Sequence, residues 1–227
     1  MGIKILKPMT NGQRDMSYVD GAQLTAKKPT VKRLLKRGKK VTGRAGGTIS
    51  IRHRGGGTRP QYRKVDFNGA DKLGIPATVR EIEYDPNRTA YIGLVCYVDG
   101  EYRYVIAHKK MKVGDEIVTD IKTKIKDGNR LQLKNVPVGF EIFNLEMVPG
   151  KGGQMVRAAG GSAKLISLDG DKAQVEFSSG EIRLFDKSCF ATLGTISNEE
   201  KCLIRIGKAG RVRNSGRRPQ VRGKAMN

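Results

Sequence analysis

The 227-residue sequence predicts an all-β protein of two small β modules in tandem, flanked by extended basic arms. Three observations carry that reading. Runs rich in Val, Ile and Tyr recur between turn signals over residues 77–120. A more regular set of five-residue runs follows over 164–185. The net charge of +22 is also held at the ends: residues 1–64 carry +15, residues 65–204 carry −1 and residues 205–227 carry +8. A near-neutral middle between cationic arms suits a folded body whose arms lie along a polyanion. Nucleic acid is therefore the first partner to consider. The domain reading is a basic arm over 1–64, a first barrel over 65–135, a second barrel over 136–204 and a basic extension over 205–227.

Residues 27–64 hold 14 basic and no acidic side chains, including Lys32-Arg33, Lys36-Arg37 and Lys39-Lys40. With few apolar residues the segment cannot offset chain entropy by burial, so alone it is expected to be largely disordered and to order on phosphates. A solvated tail or a localisation signal is the plainer reading. A membrane-surface turn over VKRLLKRGKK is disfavoured, because its apolar face is only Val31, Leu34 and Leu35 and Gly38 follows at once.

Residues 49–59 join a short alternating strand to the triplet Gly55, Gly56 and Gly57, flanked by Arg52, His53, Arg54 and Arg59. Glycines let a backbone approach a phosphate or base, and guanidiniums fork onto phosphate or stack on bases. There is no GxxxxGK followed by Ser or Thr, so nucleotide hydrolysis has no support.

In the first module, strands are expected over 77–85, 90–98, 101–107 and 116–120, with Asp99-Gly100 as a hairpin turn. A compact antiparallel barrel or sandwich accommodates them. Glu81, Glu83 and Asp85 alternate, which places them on one face, read as a solvated outer face rather than a metal site. Breakers at 137–139 and 148–153 mark joints. The second module is a meander over 164–168, 173–177 and 181–185 joined by three-residue turns, as an SH3-like barrel requires, with Leu165, Val175, Phe177 and Ile182 as core candidates. Helix is expected to be scarce.

Enzyme signatures are missing. His53 and His108 stand far apart among basic residues, with no HExxH, serine elbow or carboxylate cluster. The expectation is no catalytic residue, no metal and no cofactor. Cys96, Cys189 and Cys202 are an odd number without CxxC spacing, expected to be reduced and mostly buried in strands. No run approaches the roughly 18 apolar residues of a membrane span, and MGIKILKPMT lacks a secretion signal's apolar run, which argues for a soluble, cytosolic-type protein.

The stretches RHRGGGTRPQYRKVDF (52–67), GIPATVREIEYDPNR (74–88), VPVG (136–139), EMVPGKGGQMVRAAG (146–160), ATLG (191–194), GKAG (207–210) and RRPQVRGKAMN (217–227) resemble the bacterial-type large-subunit ribosomal protein two family, in order and over nearly the whole chain. The resemblance implies an OB-fold-like barrel followed by an SH3-like barrel, with both tails threaded into large-subunit ribosomal RNA near the peptidyl-transferase region. It further implies a part in subunit association, other ribosomal proteins and the small subunit as neighbours, no membrane and no small-molecule substrate. The expected location is the cytoplasmic ribosome, with an organellar ribosome left open. Two RNA-binding arginines of the family correspond here to Arg88 and Arg157. Arg157→Ala is expected to weaken RNA binding with little change in thermal stability, and Arg88 either faces RNA or pairs with Asp85. Members continue past the counterpart of Asn227 into a segment holding a histidine associated with the peptidyl-transferase region, and no residue here is expected to inherit it.

The expected RNA-binding set is Lys32, Arg33, Lys36, Arg37, Arg44, Arg52, His53, Arg54, Arg59 and Arg63 in the first arm, Arg88, Lys151 and Arg157 in the body, and Lys208, Arg211, Arg213, Arg217, Arg218 and Arg222 in the extension. A translation-linked enzyme and a free DNA-compacting or RNA-chaperone protein are the other function classes. The first would need a perturbed carboxylate or His in a pocket, and the second would bind duplex DNA as well as folded RNA.

Overall fold

A computed structural model describes residues 2–38 and 42–226, so Lys39 and Lys40 of the basic run and Asn227 of the terminal motif lie outside the described residues. The chain is nearly all β, an OB-like module followed by an SH3-like one. Four antiparallel strands form the first sheet, in the order Glu116–Ile117, Ala77–Glu83, Ile92–Tyr97, Tyr102–Ile106. Residues Val79, Ile82, Val95 and Tyr97 fill one side of it, and Ile92, Leu94 and Tyr104 the other.

The first arm contributes to that second cluster. Val31 and Leu34, on and beside a short 3-10 turn (Lys32–Leu34), pack against Ile92, Leu94 and Tyr104. The arm's few apolar residues cannot form a core of their own, but Val31 and Leu34 cover one that the sheet already offers.

A register shift between Val79 and Glu81 leaves Glu81 and Glu83 on one face, as expected, but the basic arm covers that face, so the reading of it as solvated is overturned. The bulge advances the inward set by one residue, so Ile82 follows Val79 inside. Glu83 and Asp85 are buried rather than solvated. The Tyr104 hydroxyl lies 2.9 and 3.0 Å from the two Glu83 carboxylate oxygens, and the Thr30 N–H donates to Glu83 at 3.2 Å. Thr30 also donates its hydroxyl to Glu81. These carboxylates tie the arm to the sheet.

The second sheet has six strands, in the order Arg130–Gln132, Phe190–Leu193, Glu141–Phe143, Ala163–Asp169, Lys172–Phe177, Ile182–Asp186. Leu131, Ile142, Leu165, Val175 and Leu193 are its core, with Phe177 packed at the margin. Ile182, expected inside, is 55% exposed. Phe185 is the buried residue of that edge strand, and a three-residue offset places Ile182 on the opposite face. Strand Arg130–Gln132 pairs in this second sheet although it precedes residue 136.

Ala90, Ile106, Phe143 and Ile196 form a separate apolar cluster that joins the two modules. Of the cysteines, Cys189 is buried in a turn, where burial pushes its thiol up to about 11, Cys96 is half-buried in a strand, and Cys202 is exposed on a 3-10 turn, which corrects the expectation of burial for that residue. Among the described residues one α-helix occurs, Ala209–Asn214, within the extension expected to be extended.

Candidate nucleic-acid interface

The two basic arms pair with each other. The Gly55 N–H donates to the Gly216 carbonyl at 3.0 Å, the Thr58 N–H to Asn214 at 2.9 Å, and the Arg218 N–H to His53 at 3.0 Å. His53 Nδ1 lies 3.1 Å from the Pro219 carbonyl, and Arg54 and Arg217 form an antiparallel bridge. Within the glycine triplet, Gly57 meets the other arm, whereas a Cβ at Gly56 would meet open space. A Cβ at Gly57 would lie 2.8 Å from the Gly216 backbone and 3.0 Å from the Asn214 carbonyl, so at this position the missing side chain lets one arm meet the other. The arms also meet at the N-terminal hairpin, Ile3–Ile5 with Ser17–Val19, where Ser17 and Arg205 exchange hydrogen bonds of 3.0 and 2.8 Å.

This pairing gathers charge. Arg44, Arg52, His53, Arg54 and Arg218 line one hollow of about 230 Å³. Beside it, strand Leu35–Arg37 pairs with Gln61–Arg63, presenting Lys36 opposite Tyr62 and Arg37 opposite Gln61. Lys32, Lys36, Arg37 and Arg59 border a second hollow, and Lys36, Arg37, Arg59 and Arg211 border a groove that reaches the Ala209–Asn214 helix. Arg33, Arg213, Arg222 and Lys208 are exposed along the same arms, with Lys208 against Gly12 of the N-terminal hairpin. Among the described residues, the salt bridges of this chain fall on other cations, so these exposed arm charges have no carboxylate partner.

Arg63 departs from the expected set. It is 7% exposed, and its Nη1 donates to the Gln61 carbonyl at 2.9 Å. Alternation along its strand turns Tyr62 outward and Arg63 inward.

On the body, the DPNR turn is built around Asp85, which is fully buried. Its Oδ1 accepts the Asn87 N–H at 2.9 Å, and its Oδ2 accepts Arg88 Nε at 2.6 Å, so the pairing alternative for Arg88 is present. The guanidinium carbon of Arg88 lies 5.4 Å from the Phe67 ring centroid, and that of Arg157 lies 4.4 Å from the same ring. Phe67 thus joins two arginines far apart in sequence.

The loop bearing Lys151 is held beside them. The Gly153 N–H donates to the Phe67 carbonyl at 2.9 Å, and the Gly150 N–H to Glu146 at 3.2 Å. Glu146 is itself buried against Arg130, 2.9 Å away, and Arg130 donates to the carbonyls of Asn144 at 2.8 Å and Asn68 at 3.2 Å. Lys151 stands exposed at the tip. Phe67 and Arg130 were missed by sequence reasoning; an Arg amid Leu131 and Leu133 was the one available signal for a buried, paired cation.

Residues 31–119 match the family described as Ribosomal Proteins L2, RNA binding N-terminal domain, and residues 126–227 match Ribosomal Proteins L2, C-terminal domain. The first match covers the basic strands, the glycine triplet, Phe67 and Arg88. The second covers Arg130, Lys151, Arg157 and the C-terminal extension.

Proposed function

This chain belongs to the ribosomal protein L2 family, a structural family that binds ribosomal RNA in the large subunit, and from that premise we propose how it does so. The joined arms act as one cationic surface, and Arg88, Lys151 and Arg157 as a second contact on the body. The observation that carries the reading is the pairing of residues 53–58 with 214–218, which concentrates arm charges that no carboxylate neutralises among the described residues. Such a surface neutralises phosphates where RNA helices converge and lowers their repulsion. Each neutralised phosphate releases counterions, so affinity falls with salt at a slope of about 0.7 to 0.9 per contact.

The body contributes rigidity, with buried cores in both modules and an apolar joint between them. Support of the peptidyl-transferase region and of subunit association is part of the proposal, as is location in the cytoplasmic ribosome, with an organellar ribosome as the alternative. No catalytic step by this chain is included.

Sedimentation of cell extract across a salt gradient tests the proposal. Retention with large subunits to about 1 M salt, where the screening length is about 3 Å, is the expected result. Release at modest salt would indicate a peripheral polyanion binder instead. Displacement from a ribosomal RNA fragment by duplex DNA at equal phosphate concentration would favour the DNA-compacting alternative.

A further inference from the structure

The groove between the arms differs from the other basic hollows in holding exposed aromatic rings. Its volume is about 850 Å³, within the range of roughly 300–1,000 Å³ that accommodates small organic ligands. Tyr62 and Tyr84 line it at 39% and 46% exposure, together with Lys36, Arg37, Arg59 and Arg211. Among the described residues no carboxylate lines it.

Both tyrosines are positioned from below. Tyr62 is the outward residue of strand Gln61–Arg63, whose neighbour Arg63 is buried. Tyr84 leaves strand Ala77–Glu83 between Glu83 and Asp85, both buried and hydrogen-bonded, so its ring is held outward by anchors on either side. Asn87 ties the two segments together by donating its side-chain amide to the Gln61 carbonyl at 2.9 Å.

Phosphate alone needs the cations but gives the rings nothing to bind. A duplex presents phosphates and keeps its bases stacked inside. An unpaired nucleotide presents both a phosphate and an open π-face, and single-stranded recognition relies on aromatic platforms beside basic side chains. We propose that this groove takes an unstacked nucleotide of the bound RNA, with its base on Tyr62 or Tyr84 and its phosphates on Arg37, Arg59 and Arg211. This deepens the RNA-binding reading above and rests on it.

The test uses the full chain and two RNA hairpins that differ only in one bulged 2-aminopurine. The bulged hairpin is expected to bind more tightly, with its fluorescence quenched on binding. Tyr84→Ala or Tyr62→Ala is expected to lose roughly 5- to 150-fold in affinity for that hairpin, the range set by loss of one base–aromatic stack, while the Phe substitutions retain it. The thermal midpoint should fall only modestly in these variants, because Tyr62 and Tyr84 are exposed and stand outside the buried clusters of the sheets.

Salt separates stacking from charge. The tyrosine variants should keep the wild-type salt slope, whereas Arg59→Ala should reduce it by about 0.7 to 0.9. Equal affinity for bulged and paired hairpins, or unchanged binding in both Ala variants, overturns the nucleotide groove, and a persisting Arg59 effect then shows that general RNA binding survives. Equal displacement by poly-glutamate at matched charge overturns it in favour of an acidic protein ligand. Binding of neither hairpin at low salt overturns the groove and the RNA reading together.

Discussion

Arg157 lies over the face of Phe67 with its guanidinium carbon 4.4 Å from the ring centroid, and the ring's other arginine neighbour, Arg88, is bound through Nε to the fully buried Asp85. The two residues look equivalent by motif but differ in energetics. Removing Arg157 deletes a partly exposed cation–π contact worth about 0.5–1 kcal/mol. Removing Arg88 leaves a buried carboxylate short of its cation, a loss of about 2 kcal/mol even with the Asn87 hydrogen bonds retained. Urea unfolding should therefore rank Arg88→Ala well below Arg157→Ala in stability. Equal midpoints for the two variants would show that Asp85 does not depend on Arg88. The expected near-neutrality of Arg157→Ala is revised to this small loss.

The arm junction makes a second prediction. Gly57→Ala brings a Cβ within 2.8 Å of the Gly216 backbone, where neither chain has a flexible side chain to yield. Residues 209–222 should become more accessible to limited proteolysis, with the barrels' unfolding midpoint nearly unchanged. Gly210→Ala, whose Cβ meets open space, serves as the control and should behave as wild type. Unaltered cleavage in Gly57→Ala would mean that the arms do not hold each other in solution.

Buried charge at the module joint gives a third. Arg130→Met leaves Glu146 without its ion-pair partner at 0% exposure, and breaking a buried pair from one side costs about 3–5 kcal/mol. The double variant Arg130→Met, Glu146→Leu should recover part of that loss, because no uncompensated charge remains. It should not restore the loop at Lys151, whose Gly150 N–H depends on the Glu146 carboxylate. Hydrogen exchange at Gly150 read beside the unfolding midpoint separates the two effects, and protection of Gly150 in the double variant would refute the link.

The second-module meander was legible to within a residue or two, since period-two alternation and Gly-containing turns are local signals: strands expected at 164–168, 173–177 and 181–185 occur at Ala163–Asp169, Lys172–Phe177 and Ile182–Asp186. What sequence could not carry was partnership at long range. Gly57 signals a close approach in any reading, but only the fold supplies Gly216 as what approaches. The bulge after Val79 has no sequence mark, and it turns Glu83 from Val79's face to the face of Tyr104, where the arm residues Thr30, Val31 and Leu34 cover it. At the candidate interface, charge marked the arms, while Phe67, Tyr62 and Tyr84 went unnoticed because isolated aromatics in short strands look like ordinary sheet residues.

His108 supplies the pH prediction. It is 5% exposed at the joint, bridged to Ile196, and burial lowers its pKa from the ordinary value of 6.5 despite Asp127 and Asp115 nearby, with Lys126 and Lys110 acting in the same sense as burial. A group whose folded pKa is depressed contributes stability above its unfolded pKa and loses it as pH falls through the folded value. The protein should therefore lose stability as pH drops below about 6.5, before most carboxylates titrate. Glu83, whose carboxyl is pushed up chiefly by burial, works in the opposite direction over the adjoining range, and a His108 variant leaves that contribution in place. His108→Gln should flatten the fall in urea midpoint between about pH 6.5 and 5, the interval below the unfolded-state value of histidine. An identical pH profile in the variant would show that His108 gains its proton in the folded state as readily as in the unfolded chain.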